Sequence, residues 1–209
     1  MGFYNKKFLI PFIILLIIIV SGLILFSDDV TINIYLNGTN SSVNSQSIPF
    51  LHDNANLNNE ILYFINSDKN DLNSNIDTVK GNISLIAKNY GFNDININLK
   101  SQFGENVLPM MIVVSGRSMM PTIHDGENII VEKTKNIHVN DIVVVNDNEY
   151  GLIIKRVGAI NDNQVYLISD NVQETLIENG VPVTYVGLRK WTNINNIIGI
   201  ARIFNVNVN

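Results

Sequence analysis

The pattern of apolar and polar positions divides the chain into a long apolar segment, a helical stretch and a series of short strands. Residues 8–26 carry no charged side chain and are almost wholly leucine, isoleucine, phenylalanine and valine. A helix needs about 20 apolar residues to cross a bilayer, so this segment predicts one transmembrane helix. Lys6 and Lys7 precede it, and Asp28 and Asp29 follow it. This charge asymmetry predicts a cytoplasmic N-terminus and an extracytoplasmic remainder.

A cleaved secretory signal is the alternative interpretation of the same segment. Such a signal has an apolar region of about 7–15 residues followed by a small-x-small junction. Residues 24–29 read Ile-Leu-Phe-Ser-Asp-Asp and lack that junction. We therefore favour an uncleaved cytoplasmic tip and transmembrane anchor over residues 1–27.

The next stretch is rich in asparagine and serine, and its composition predicts a spacer over residues 28–56 that lifts the globular part off the bilayer. Residues 31–36 alternate apolar and polar side chains, which also allows a short strand there. Asn37, Asn40 and Asn82 each begin an Asn-x-Ser/Thr sequon, which matters only if the host glycosylates exported proteins.

Residues 57–105 are predicted to form a small α+β module. Apolar side chains recur at helical spacing between residues 71 and 90, and Gly91 supplies a C-terminal stop. Residues 94–100 then alternate isoleucine or leucine with polar side chains, which predicts a half-buried strand. The apolar stripe of the helix is interpreted as ordinary core rather than as a groove for a partner.

From residue 106 to residue 209 the pattern changes to short apolar runs separated by turn signals. This spacing predicts a compact, mostly antiparallel β domain. The predicted strands are residues 111–114, 128–132, 141–145, 151–157, 165–169 and 197–204.

Charge and composition narrow the function classes. The 209 residues carry a formal net charge of −5, which argues against nucleic acid as a partner because phosphate contacts need clustered Lys and Arg. The absence of cysteine excludes disulfides and cysteine-dependent catalysis. His52, His124 and His138 are isolated and show no metal-ligand spacing, so we expect neither a metal nor a cofactor.

The candidate chemistry lies in two stretches of the β region. Residues 113–122 read Val-Val-Ser-Gly-Arg-Ser-Met-Met-Pro-Thr, where Gly116 and Pro121 bracket a tight turn that contains Ser118. Lys155 follows 37 positions later within the apolar run Gly-Leu-Ile-Ile-Lys-Arg-Val. A serine hydroxyl is a weak nucleophile until a base takes its proton, and a lysine can be that base only if desolvation lowers its pKa. These are the residues that a Ser-Lys hydrolase needs, and for either residue alone the alternative is a turn serine or a lysine whose stem packs on apolar surface while its ammonium reaches water.

These stretches resemble conserved boxes of a known family. Gly-x-Ser-Met-x-Pro-Thr at 116–122, followed by Asp-Gly-Glu at 125–127, resembles the nucleophile box of archaeal or bacterial type I signal peptidases, whose core is shared with LexA-like self-cleaving repressors. Residues 151–157 resemble the box that carries the lysine base, and Ser-Asp-Asn at 169–171 resembles the Gly-Asp-Asn box. The resemblance covers residues 110–204 and implies the β-rich signal-peptidase/LexA-like fold.

The resemblance also implies roles for individual residues. Ser118 would be the nucleophile and Lys155 the general base, while the backbone N–H of Ser118 would hold the oxyanion. Gly116 stands where some signal peptidases have a second serine donor. Met119 is expected to pack beneath the nucleophile turn. Asp170 is expected to orient Lys155 or the turn around Ser118, and a plain turn cap is the alternative.

Together with the predicted anchor, the resemblance implies a membrane-anchored serine endopeptidase that cleaves signal peptides after small residues. Its expected partners are preprotein signal peptides, the lipid bilayer and the protein-export translocon. One alternative is a LexA-like self-cleaving membrane regulator, which needs an internal Ala-Gly bond that this chain lacks. The other is a non-enzymatic surface module that retains the fold, a reading supported by the altered third box.

Overall fold

The computed structural model describes residues 6–25, 28–47, 54–68 and 70–206. The α-helices in these ranges are α1 Lys6–Leu25, α2 Asn54–Asp68 and α3 Ile76–Asn89. The strands are β1 Asp29–Leu36, β2 Ser41–Gln46, β3 Asp94–Ser101, β4 Gly104–Glu105, β5 Pro109–Val113, β6 Asn128–Glu132, β7 Ile142–Asp147, β8 Gly151–Asn161, β9 Gln164–Ile168, β10 Gln173–Glu178, β11 Val181–Val186, β12 Arg189–Asn193 and β13 Ile197–Ile203.

Helix α1 contains most of the predicted anchor, and residues 26–27 lie outside the described residues. The side chains from Ile10 to Val20 are exposed. Across the described part of the chain, none of the helices reaches the combination of length and apolar character that a bilayer crossing requires. The transmembrane helix stays a prediction from the sequence.

The first globular unit is a four-stranded sheet with helices α2 and α3 packed on one face. Its strand order is β2-β1-β3-β4, with β1 antiparallel to β2 and parallel to β3. Alternate side chains of β1 are buried against the helices, since successive residues of a strand point to opposite faces. The buried core of this unit includes Val30, Ile32, Ile34, Leu36, Leu57, Ile61, Val79, Ile83, Phe92 and Leu99.

This unit corrects the predicted spacer over residues 28–56. Strands β1 and β2 lie within that range, and β1 is an interior strand of the sheet. The unit therefore begins at Asp29 rather than at residue 57. On β1 the polar residues Asp29, Thr31 and Asn33 alternate with buried aliphatic residues, and the parallel partner of β1 lies 65 positions further along the chain.

Helix α3 begins later than the periodicity predicts. The apolar pattern indicates a start near residue 71, whereas the helix begins at Ile76 behind an Asn75 cap. The side chain of Asn75 accepts hydrogen bonds from the backbone N–H groups of Asp77 and Thr78, and this satisfies donors that the first helical turn leaves unpaired. The Asn75 cap therefore sets the first residue of α3.

The second globular unit is a seven-stranded sheet in the order β12-β9-β8-β7-β13-β6-β5. Its paired strands are antiparallel, so the predicted mostly β fold is confirmed. Each of the six predicted strands overlaps a strand of this sheet. Strand β12 and the separate β10–β11 hairpin were not predicted from the sequence. Buried aliphatic clusters line the sheet and include Met110, Ile129, Val131 and Val144 in one cluster and Val143, Val157, Val165 and Leu167 in another.

Lys133 connects the two units. This residue follows β6, and its Nζ donates hydrogen bonds to the backbone oxygens of Asp71, at 2.7 Å, and Ser74, at 2.5 Å. Both oxygens lie just before α3 in the first unit. Burial lowers the pKa of Lys133, while the charges of Asp71 and Asp68 oppose that change.

The assignment of β1 to the first unit can be tested by truncating one core side chain. Ile32→Ala should lower the free energy of unfolding of the full chain by about 2–5 kcal/mol, because Ile32 is fully buried and the substitution leaves a cavity. Thr31→Ala on the opposite face of β1 should cost less than about 1 kcal/mol. Urea unfolding monitored by circular dichroism measures both values. Equal effects would mean that β1 is a peripheral strand.

Candidate active site

Ser118 lies in the connection between β5 and β6. The turn that carries it begins with Gly116, whose φ of +92° is in the left-handed region that favours glycine. The Gly116 N–H donates a 2.8 Å hydrogen bond to Oδ1 of Asp125. The backbone N–H of Gly126 donates to the oxygen of Val114 at 2.9 Å. The two ends of the connection are therefore fastened to each other, and Ser118 projects from a fixed loop.

Met119 and Ile123 anchor the turn from below. Both side chains are buried in the aliphatic cluster on one face of the seven-stranded sheet, and the N–H of Ile123 donates to the oxygen of Met119 at 3.0 Å. Pro121 lies between them on the exposed side of the turn, and the Met120–Pro121 peptide bond is cis. The turn thus has a buried apolar base and an exposed rim.

Lys155 reaches the serine from the centre of β8. This strand lies between β7 and β9, and Lys155 pairs with Val143 of β7. The lysine is only 5% exposed, and its Nζ lies 2.8 Å from Oγ of Ser118 and 2.8 Å from the backbone oxygen of Ile154. Burial lowers the pKa of Lys155 to about 8, although the negative charge of Asp170 acts in the opposite direction.

Asp170 joins β8 to the nucleophile turn. Its carboxylate accepts hydrogen bonds from Nε of Arg156 at 2.8 Å and from Nη2 at 2.6 Å, and it accepts a further one from the Thr122 hydroxyl. Burial alone would raise the pKa of Asp170, but the hydrogen bonds from Arg156 and Thr122 outweigh it and the pKa is lowered. Of the roles expected for Asp170, the contact with Thr122 favours orientation of the turn around Ser118.

Asn171 is a site residue for which the sequence predicts no role. Its backbone N–H donates to the oxygen of Ser118 at 3.0 Å, and its side-chain Nδ2 donates to the oxygen of Arg117 at 3.1 Å. The neighbouring residue Ser169 exchanges hydrogen bonds of 3.0 Å with the backbone of Leu188. The Ser-Asp-Asn pattern was the available signal, but the partners of an amide side chain cannot be found from the pattern alone.

A cleft of about 430 Å³ opens in front of Ser118 and Lys155. Its floor includes Ile153 of β8. The β10–β11 hairpin supplies one apolar wall with Leu176, Tyr185 and Val186. The cleft has the size range of a small-molecule or peptide side-chain site.

The comparison with protein families agrees with this geometry. Residues 105–187 match the family model described as Peptidase S24-like. The matched stretch resembles the Ser-Lys peptidase superfamily, which includes LexA and signal peptidases. It spans β4 to the end of the β10–β11 hairpin, less than half of the chain, and contains both Ser118 and Lys155. No curated protein matches the chain.

The histidines take no part in the cleft of the S24-like region. His124 and His138 are exposed, and in each the Nδ1 atom lies 3.8 Å from a carboxylate oxygen, of Glu127 and Asp141 respectively. His52 lies outside the described residues. Across the described ranges, no group of three or more metal-ligating side chains comes together.

The S24-like arrangement supports proton transfer between serine and lysine. A neutral lysine amine has one lone pair and two N–H donors. It can therefore accept the Ser118 proton while it donates to the oxygen of Ile154. Arginine could not replace Lys155, because guanidinium does not deprotonate in proteins.

The reactivity of Ser118 should follow the titration of Lys155. Labelling of Ser118 by a fluorophosphonate should rise about tenfold per pH unit below pH 8 and level off above it, because only the neutral amine takes the serine proton. Mass spectrometry of the labelled peptide gives the rate at each pH. Lys155→Arg should abolish labelling across the range. A wild-type rate that does not change between pH 6 and pH 9 would contradict this role.

Asp170→Asn should move that titration to lower pH. The substitution removes a negative charge that favours the ammonium form, so the pKa of Lys155 falls further. It also weakens the contacts with Arg156 and Thr122, which should lower the plateau rate. The exposed Asp94→Asn is the matched control and should leave the profile unchanged. An unchanged midpoint would show that the charge of Asp170 does not reach Lys155.

Proposed function

We propose that this protein is a membrane-anchored serine endopeptidase that removes signal peptides from exported preproteins by cleaving after small residues. The observation that carries the proposal is the 2.8 Å separation of Lys155 Nζ and Ser118 Oγ beside an open cleft. The S24-like match and the resemblance of the three sequence boxes support the same chemistry.

The reaction follows from these two side chains. Neutral Lys155 takes the proton of the Ser118 hydroxyl as Oγ attacks the carbonyl carbon of the scissile peptide. The backbone N–H of Ser118 donates to the oxyanion of the tetrahedral intermediate. The C–N bond then breaks, and the leaving amine takes the proton from Lys155. Water, deprotonated by Lys155, attacks the acyl-enzyme and releases the new carboxylate, and Ser118 recovers its proton.

The substrate would lie along the edge of the seven-stranded sheet. Strand β5 is the last strand in that sheet and leads directly into the turn that carries Ser118. An extended peptide can add to such an edge through main-chain hydrogen bonds, with alternate side chains directed into pockets. Val113 at the end of β5 is 65% exposed and lies on the expected path of the peptide.

The apolar N-terminal segment supports this choice of substrate. Residues 8–26 are apolar, and the side chains of Ile10 to Val20 are exposed. Two lysines precede this segment in the sequence, and two aspartates follow it. In this arrangement the N-terminus is cytoplasmic and the peptidase is extracytoplasmic. Confinement to the membrane raises the effective concentration of enzyme and signal peptide at the exit of the translocon.

A self-cleaving regulator is the second candidate, and the S24-like match favours it because that superfamily includes LexA. The chain lacks an Ala-Gly bond of the kind such proteins cut. Self-cleavage would produce fragments of the chain at a rate independent of its concentration. Incubation of the purified chain, followed by intact mass measurement, distinguishes this function from cleavage of another protein.

The test of the proposed function is cleavage of a preprotein with an Ala-x-Ala junction by the detergent-solubilised chain. Ser118→Ala and Lys155→Met should each lower the rate by about a thousandfold or more, because neither residue has a substitute in the reaction. Ser42→Ala and Lys88→Met are matched controls on exposed positions of the first unit and should retain the full rate. Edman sequencing of the product identifies the bond cut.

If the wild-type chain cuts no such preprotein, signal peptide removal is the wrong function. If Lys155→Met still cuts while Ser118→Ala does not, Ser118 is the nucleophile and the base has been misassigned.

A further inference from the structure

The β10–β11 hairpin forms one wall of the cleft without belonging to either large sheet. Within the described chain its two strands pair only with each other. A two-stranded ribbon alone is marginally stable in water. The apolar side chains of Ile177, Val181 and Val186 are strongly exposed and give the ribbon little packing. Its position over the cleft must therefore depend on contacts near its base.

The neck of the hairpin is closed by backbone contacts. The N–H of Gly187 donates to the oxygen of Val172 at 2.8 Å. A Cβ on Gly187 would lie 2.3 Å from the backbone oxygen of Asn171, so only glycine fits at this crossing. These contacts hold the two chain ends together. Both contacts lie before β10 and after β11, so neither involves the strands of the hairpin themselves.

A pair of charged side chains connects the hairpin to that turn. Arg117, directly before Ser118, donates from Nε to Oε2 of Glu174 on β10 at 3.0 Å and from Nη2 to Oε1. Asn171 Nδ2 donates to the same Oε2 at 3.0 Å and to the backbone oxygen of Arg117 at 3.1 Å. Two parallel hydrogen bonds from a guanidinium to a carboxylate fix the relative orientation of the groups as well as their distance.

The pair is partly shielded from water. The side chain of Glu174 is 22% exposed and that of Arg117 is 49% exposed. The hydrogen bond from Arg117 holds the pKa of Glu174 below its usual value, so the carboxylate is charged at neutral pH. Neither side chain lies between Lys155 Nζ and Ser118 Oγ. The pair can therefore affect the shape of the cleft while the serine and lysine stay together.

We propose that Arg117 and Glu174 form a latch that holds the β10–β11 hairpin against the nucleophile turn, which makes both of them positioning residues for substrate binding. The kinetic part of this proposal rests on the proposed peptidase function. The latch holds Leu176 and Tyr185, which line the cleft, beside the nucleophile turn, so a substrate side chain meets a preformed apolar wall. Without it, the substrate would have to order the hairpin on binding.

The first experiment measures the hairpin directly and needs no substrate. Hydrogen–deuterium exchange of the full chain reports on peptides that cover residues 173–186. Glu174→Gln should speed exchange there by roughly fivefold, the scale of an ion pair at a protein surface. Exchange in β8 should stay at the wild-type level. Glu105→Gln, which removes an exposed carboxylate from β4 of the first unit, is the matched control.

The second experiment measures preprotein cleavage by Glu174→Gln, Arg117→Met and the double variant. Each single variant should raise KM roughly fivefold and change kcat by less than about twofold, because the latch acts on binding and leaves the reacting groups in place. The double variant should be no worse than either single variant, since both remove the same interaction. Raising the salt concentration should increase KM in the wild type more than in Glu174→Gln.

The outcomes separate the latch from the peptidase function. Faster hairpin exchange in Glu174→Gln supports the latch even if the wild type cleaves no preprotein. The lack of cleavage by the wild type would contradict the peptidase function and not the latch. Unchanged exchange in Glu174→Gln overturns the latch, whatever the activity. Additive KM effects in the double variant, or a fall in kcat with KM unchanged, also overturn it.

Discussion

The burial of the Lys155 side-chain amine away from water is the constraint on which the rest of this structure depends. Lys155 is an interior-strand residue whose burial lowers its pKa to about 8, so at neutral pH about one molecule in ten carries the neutral amine. That environment requires a strand with neighbours on both sides. It also requires a serine held at hydrogen-bonding distance by a turn with a buried base. The seven-stranded sheet supplies the first, and Met119 with Ile123 supplies the second.

The polar groups around Ser118 and Lys155 form two sets with different roles. Asp170, Arg156 and Thr122 tie β8 to the nucleophile turn, so they maintain the distance between base and nucleophile. Asn171 and Glu174 tie the same turn to the hairpin, so they bear on the wall of the cleft. The third sequence box, residues 169–171, stands where these two sets of contacts meet. This position explains why a short polar stretch follows directly after β9.

Much of the second globular unit could be predicted from the sequence because its signals are local. Alternation identified β8, and glycine with proline marked the turn around Ser118. The pairing of Ser118 with Lys155 came from a resemblance, because no local pattern brings two residues 37 positions apart to 2.8 Å. The hairpin was missed since β10 and β11 are largely exposed and lack the buried apolar alternation of the predicted strands. The role of Glu174 depends on a partner 57 positions away, which periodicity cannot reveal.

The parallel pairing of β1 with β3 has a consequence for how the chain folds. The two strands are joined by β2 and two helices, and they meet in register from Asp29 with Asp94 to Leu36 with Ser101. During synthesis β1 emerges before β3, so the edge of β1 that pairs with β3 stays exposed until β3 has been synthesised. Pairings of such high sequence separation form slowly, because the loop must close before the contacts are gained. Chaperone demand during synthesis should therefore concentrate on the first unit, ahead of the seven-stranded unit that follows it.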